Sequence, residues 1–122
     1  MKEPKEISIL FKKLMQSPYL KFPKKEQSLG APTKKGVYII FSPFKKILHV
    51  GCPPRAKYGL YQRLENHLSG QSSFVEKYLE GKATRLRKGY YFKVLTVESA
   101  RERKFLEAYA IGQLCPEHIG ER

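Results

Sequence analysis

The chain has 122 residues, 41% of them apolar, with 24 Lys and Arg against 11 Asp and Glu, a formal net charge of +13. That length supports one domain with a modest core and excludes a second catalytic domain within it. The charge excess costs self-repulsion that a polyanionic partner relieves, so nucleic acid is the expected partner, while composition alone leaves an acidic membrane surface open.

Residues 1 to 35 contain nine lysines together with Pro4, Pro18, Pro23 and Pro32. They read as an N-terminal helix over Ile7 to Met15 followed by an irregular arm that lies against the domain or clamps DNA; residues 36 to 122 read as the folded domain. Gly36 to Phe41 is dense in β-branched and aromatic residues between Lys34-Lys35 and Ser42-Pro43, which predicts a strand. Ile47 to Val50 repeats the pattern, so an antiparallel hairpin is the economical pairing and brings Tyr38 near His49. Whether the two side chains share a sheet face depends on register, which the sequence leaves open.

Gly51-Cys52-Pro53-Pro54 ends the second strand, because neither proline donates to a ladder. From Tyr58 to Leu68 the apolar positions Leu60, Tyr61, Leu64 and Leu68 recur at helical intervals. On that helix Arg63 and His67 stand one turn apart on one stripe, so both are expected to reach one small target, with Arg63 supplying a planar fork for phosphate oxygens. Phe74 to Leu79 reads as a short helix, and Tyr90 to Val97 as a strand running through the middle of a small sheet. Glu98 to Leu114 reads as an amphipathic helix with Phe105, Leu106, Tyr109, Ala110 and Leu114 inward and Glu107 among apolar neighbours. The basic pairs Lys34-Lys35 and Lys45-Lys46 and the cluster Arg85, Arg87 and Lys88 are spread along the chain, as phosphate contacts over a broad face require.

Two cysteines, Cys52 and Cys115, lack paired metal-ligand spacing, and the chain shows no signal peptide or long apolar span. This predicts a cytoplasmic protein with reduced thiols and no membrane insertion. His49, His67, His118 and the two cysteines are too scattered to predict a zinc site.

Taken together these residues resemble the GIY-YIG nuclease family. Gly36-Val37-Tyr38 matches its first tripeptide, His49-Val50-Gly51 its second, Arg63 its helical arginine and Glu107 its C-terminal glutamate, followed by Pro116. His67 matches a histidine that restriction-type members carry one turn past the arginine. The tyrosine of the second tripeptide is His49 here, and the asparagine often found three residues after the proline is Ile119.

The resemblance implies an α/β fold of the α+β kind, a central, mainly antiparallel three-stranded sheet flanked by helices. It implies a metal-dependent DNA endonuclease with Tyr38, His49, Arg63, His67 and Glu107 as catalytic residues. In this reading Glu107 holds one Mg²⁺, with Mn²⁺ as an alternative, Arg63 contacts the scissile phosphate, and Tyr38 activates or orients water. His49 adds an imidazole titrating near neutrality, suited to general-base work. A nucleic-acid-binding module that kept the fold but lost cleavage is the alternative, and a larger repair, recombination or restriction partner is expected to deliver the DNA. Read without the resemblance, Tyr38 is an ordinary strand aromatic, and Arg63 and Glu107 are solvated helix residues.

Overall fold

The computed structural model describes residues 2–53 and 57–119; Pro54 of the expected turn lies outside them. The elements run α1 (Lys2–Gln16), β1 (Leu20–Lys21), β2 (Gly36–Phe41), β3 (Ile47–Gly51), α2 (Gly59–Leu68), a π-helical turn (Phe74–Tyr78), a 3-10 turn (Ala83–Arg87), β4 (Tyr91–Thr96) and α3 (Ala100–Leu114).

The strands form one antiparallel sheet in the order β1-β4-β2-β3. This corrects the expected three strands to four among the described residues. Strand β1 is two residues long, pairing Leu20 with Phe92 and Lys21 with Tyr91. Two ladder positions close to Pro18 and Pro23 leave no alternation to detect, so β4 supplies the order that the local sequence lacks.

Strand β2 is buried at every residue because it lies between β3 and β4 and is covered on both faces. Its side chains alternate between two cores. Tyr38 and Ile40 join Leu60, Leu64, Leu68 and Phe74 on the α2 face, whereas Val37, Ile39 and Phe41 join Ile7, Leu14, Leu106 and Ala110 on the α1/α3 face. Residues 2–35 are therefore not an arm beside the domain: α1 packs into the second core, Phe22 and Leu29 into the first, and β1 extends the sheet. A bidentate pair from Arg101 to Glu3, at 2.8 and 3.1 Å, joins α1 to α3 on the surface.

Helix α3 starts later than expected, at Ala100, because Ser99 caps it by accepting from the Glu102 amide at 3.2 Å. Among its expected inward residues Leu106 and Ala110 are fully buried, but Phe105 is 39% exposed and points away from the core. Arg103 takes a buried position instead, donating to the Val97 and Glu98 carbonyls at 2.8 and 2.6 Å and so tying the helix to the end of β4. The expected helix over Phe74–Leu79 is a single π turn. Among the described residues no helix is long and apolar enough to cross a membrane.

Candidate active site

Register settles the question left by the hairpin. Tyr38 lies opposite Gly51 and Ile40 opposite His49, and a bulge between Ile40 and Phe41 accommodates Leu48 as an extra residue. The bulge leaves Leu48 in the α2-face core and turns His49 toward the same side, where its ring stacks on Phe74 at 5.2 Å. Tyr38 and His49 thus share a face, with ring centroids 6.0 Å apart.

The two tripeptide glycines have a steric reason. A Cβ on Gly51 would fall inside the Tyr38 phenol, and one on Gly36 would fall on the Leu95 carbonyl of the adjacent strand. Tyr38 is therefore seated directly over the end of β3, and an alanine at position 51 displaces its ring.

Beside the outer edge of β3, between α2 and α3, lies a cleft of about 520 Å³. Tyr38 enters it from β2, Arg63 from α2 and Glu107 from α3, with His49, Cys52 and Lys104 completing the charged and polar wall. Lys104 and Ser73 were not anticipated. Lys104 stands three residues before Glu107 and so on the same helical stripe, which is the sequence signal for it. Ile119 also lines the cleft.

His67 does not reach the cleft as its stripe with Arg63 suggested. It is fully buried behind Tyr38, with Nε2 2.7 Å from the phenolic oxygen and Nδ1 2.7 Å from Ser72 Oγ, which also accepts from the Val75 amide at 3.2 Å. A second chain of contacts is less legible in the sequence. His118, buried after α3, places Nδ1 3.1 Å from His49 Nδ1, and its amide donates to the Leu48 carbonyl at 2.8 Å. Three histidines far apart in sequence thus gather around Phe74.

Burial sets the protonation states. It raises the Tyr38 phenol well above its ordinary range; the Arg63 guanidinium opposes this, and the Glu107 carboxylate adds to it. Burial pulls His49 down from 6.5 to about 4, and His118 and Arg63 add to the effect, so the expected titration near neutrality does not hold. His67 is pushed well below its ordinary value by burial, then by His49 and Arg63. Burial and the neighbouring Glu107 push the Cys52 thiol up. At neutral pH the site is therefore a phenol and two uncharged imidazoles, flanked by the side chains of Arg63, Lys104 and Glu107.

The expected phosphate contacts do not form one patch. Lys34 and Lys35 precede β2 at the cleft end of the sheet, whereas Lys45 and Lys46 sit in the β2–β3 turn at the other end. Lys46 pairs with Glu117 at 3.0 Å, and Arg87 is a clamp, donating to the Pro23 and Lys24 carbonyls at 3.0 and 3.3 Å. Arg85 and Lys88 flank that clamp in and just after the 3-10 turn.

The chain matches no protein-family model and no curated protein sequence. Solved structures do match: the GIY-YIG N-terminal endonuclease domain of UvrC from Thermotoga maritima, in a point-mutant form bound to its catalytic divalent cation, superposes with TM-score 0.53 at 20% identity, covering 93% of this chain and 97% of that one. A second point mutant of the same domain, also bound to its catalytic divalent cation, gives TM-score 0.52 at 21% identity over the same shares. The class is thereby defined: this chain has the GIY-YIG endonuclease fold.

Proposed function

We propose that this protein is a metal-dependent DNA endonuclease that hydrolyses phosphodiester bonds. The observation that carries the reading is the convergence of Tyr38, Arg63 and Glu107, from three separate elements, on one cleft.

The donor set fits a hard divalent cation. Among the described residues no group of three or more His, Cys, Asp or Glu is arranged to hold a metal, so Glu107 is the carboxylate anchor in the cleft. Mg²⁺ suits such a site because it keeps several waters and commonly takes one or two carboxylates plus phosphate oxygens; Mn²⁺ suits it for the same reason. When bound at Glu107, the cation supplies neutralisation of charge on the phosphoryl and leaving oxygens and acidifies a coordinated water.

The chain's own groups do the rest. Arg63 offers two parallel N–H donors to a phosphate in the cleft. Tyr38 donates its proton to His67 Nε2, while His67 Nδ1–H donates to Ser72 Oγ; the lone pairs of the phenolic oxygen then accept a hydrogen bond from the attacking water. With its proton engaged by His67, whose imidazole stays neutral, Tyr38 turns its lone pairs toward that water and orients it for attack. His49, uncharged at neutral pH, is the second cleft residue assigned to water activation, as a weak base.

Supercoiled plasmid is the test, incubated with Mg²⁺, with Mn²⁺ and with chelator, beside Glu107→Ala. Nicking that needs metal and disappears in the variant supports the endonuclease. The burial of Tyr38, at 0% exposure, favours the alternative of a binding module without cleavage. DNA binding with no metal-dependent nicking would select that alternative.

A further inference from the structure

The end of the sheet remote from the cleft carries a second cluster of groups. In the Ser42–Lys46 turn Phe44 is 96% exposed, yet the turn holding it is pinned. The Ser42 amide donates to the Lys46 carbonyl at 2.9 Å, the Lys45 amide to the Ser42 carbonyl at 2.9 Å, and Ser42 Oγ accepts from the Phe44 and Lys46 amides at 3.2 and 3.1 Å. Lys45 adopts the left-handed conformation, φ 66°, that such a tight reversal requires. Phe44 is therefore an aromatic side chain held out into solvent on a fixed backbone.

Its neighbours are basic and aromatic. Register places Lys21, Tyr91, Phe41 and Ile47 in one row at this end of the sheet. Lys45 and Lys93 lie over the Tyr19 ring at 4.7 and 4.2 Å, and Lys21 lies 5.8 Å from the Tyr91 ring centre. Pro43 sits within ordinary contact of position 89, the residue after Lys88.

Residues 117–119 run along the edge of β3 between this tip and the cleft. Ile119 lines the cleft, the His118 and Glu117 amides donate to the Leu48 and Ile47 carbonyls, and Glu117 pairs with Lys46. From Gly51 to Ile47 the strand covers about 13 Å at roughly 3.3 Å per residue, a span of a few nucleotides.

We infer that the Phe44 tip is a nucleic-acid contact, stacking on an unpaired base of a DNA strand that leaves the cleft along β3, with Lys45, Lys46 and Lys21 taking its phosphates. A base offers a flat apolar face attached to regularly spaced anions, which is the complement of an exposed ring among lysines. Stacking also tolerates any base, so the tip grips strand without reading sequence. This inference rests on the nucleic-acid reading above and adds the class of substrate: DNA with an unpaired stretch beside the cut.

The chain contains no tryptophan, so Phe44→Trp places a single reporter at the tip. Binding is followed by anisotropy of a labelled oligothymidylate and of a labelled blunt duplex in chelator, and indole emission by titration with the unlabelled strands. The expected results are quenching of the indole by the single strand and about tenfold weaker single-strand binding in Phe44→Ala, in line with the loss of one base stack, with the duplex affected less. Wild-type nicking or binding with an unmoved indole overturns the tip contact alone. Neither nicking nor binding by the wild type overturns the nuclease reading and the tip with it, whereas quenching without nicking supports the tip and removes the nuclease. A blue shift on anionic vesicles with no response to DNA replaces the proposed occupant by a membrane surface.

Discussion

The two faces of the sheet bury side chains to a similar extent but with different chemistry. On the α1/α3 face Val37, Ile39, Phe41, Leu106 and Ala110 make an apolar core, and the one lysine buried beside it among the described residues, Lys93, donates to the Met15 carbonyl of α1. On the α2 face Tyr38, His49, His67 and His118 are buried together with Leu60, Leu64 and Phe74. A polar group out of water is tolerated only when it is hydrogen-bonded, and here each is, through Tyr38 to His67 to Ser72 and through His49 to His118. One face thus stabilises the fold, and the other holds a hydrogen-bonded polar network behind the cleft.

The largest test of that contrast is Leu106→Ala. Leu106 is fully buried in the apolar face, and its truncation is expected to cost about 2–5 kcal/mol of stability by chemical denaturation. The cost should be the same at pH 7 and pH 5, since the buried histidines lie on the other face; a strongly pH-dependent cost would break the comparison.

Acid should strike the other face. Folded His49 stays neutral down to about 4, while the unfolded imidazole takes a proton near 6.5. Unfolding therefore takes up a proton in that window: the stability is complete above pH 6.5, declines as pH falls, and is lost through pH 4. The decline from His49 alone is on the order of 3 kcal/mol, with His67 acting in the same direction. Denaturation curves across the window should flatten in His49→Gln, and an unchanged slope would remove His49 as the cause.

Smaller in size but sharper in meaning is a double-mutant cycle on Tyr38→Phe and His67→Phe. Each single change leaves one buried polar group unpaired and the double change leaves neither, so the coupling should be about 1–2 kcal/mol. Additive losses would mean that the 2.7 Å contact contributes nothing. Gly51→Ala should leave the apolar face intact and lower nicking at least tenfold by displacing Tyr38, since a misplaced reacting group costs on the order of a factor of a hundred. Least of all, Phe105→Ser should cost only about 0.5–1 kcal/mol, because the ring lies outside both cores and loses chiefly the Arg101 guanidinium that stacks on it at 4.7 Å.

Much of this organisation was legible in the residues themselves. The β-branched run from Gly36 to Phe41, the spacing of Leu60, Leu64 and Leu68, and the order Tyr38, Arg63, Glu107 pointed to the elements and to the side chains that meet in the cleft. These are local patterns and short-range spacings, which a linear sequence records directly. Phe105 shows where that stops: its position reads as part of the apolar stripe, but Arg103, two residues earlier and so on the opposite side of the helix, takes the buried place at the crossing between α3 and the end of β4.

Periodicity and turn chemistry thus determined which of the longer segments become strands and helices. Tertiary structure decided what faces what. The bulge after Ile40 turned His49 toward Tyr38, the strand Leu20–Lys21 exists only because β4 offers it a partner, and His118 reaches His49 across 69 residues. Protonation followed from the same source, since an imidazole's pKa is a property of its surroundings, and those were assembled from residues too far apart for any sequence pattern to join them.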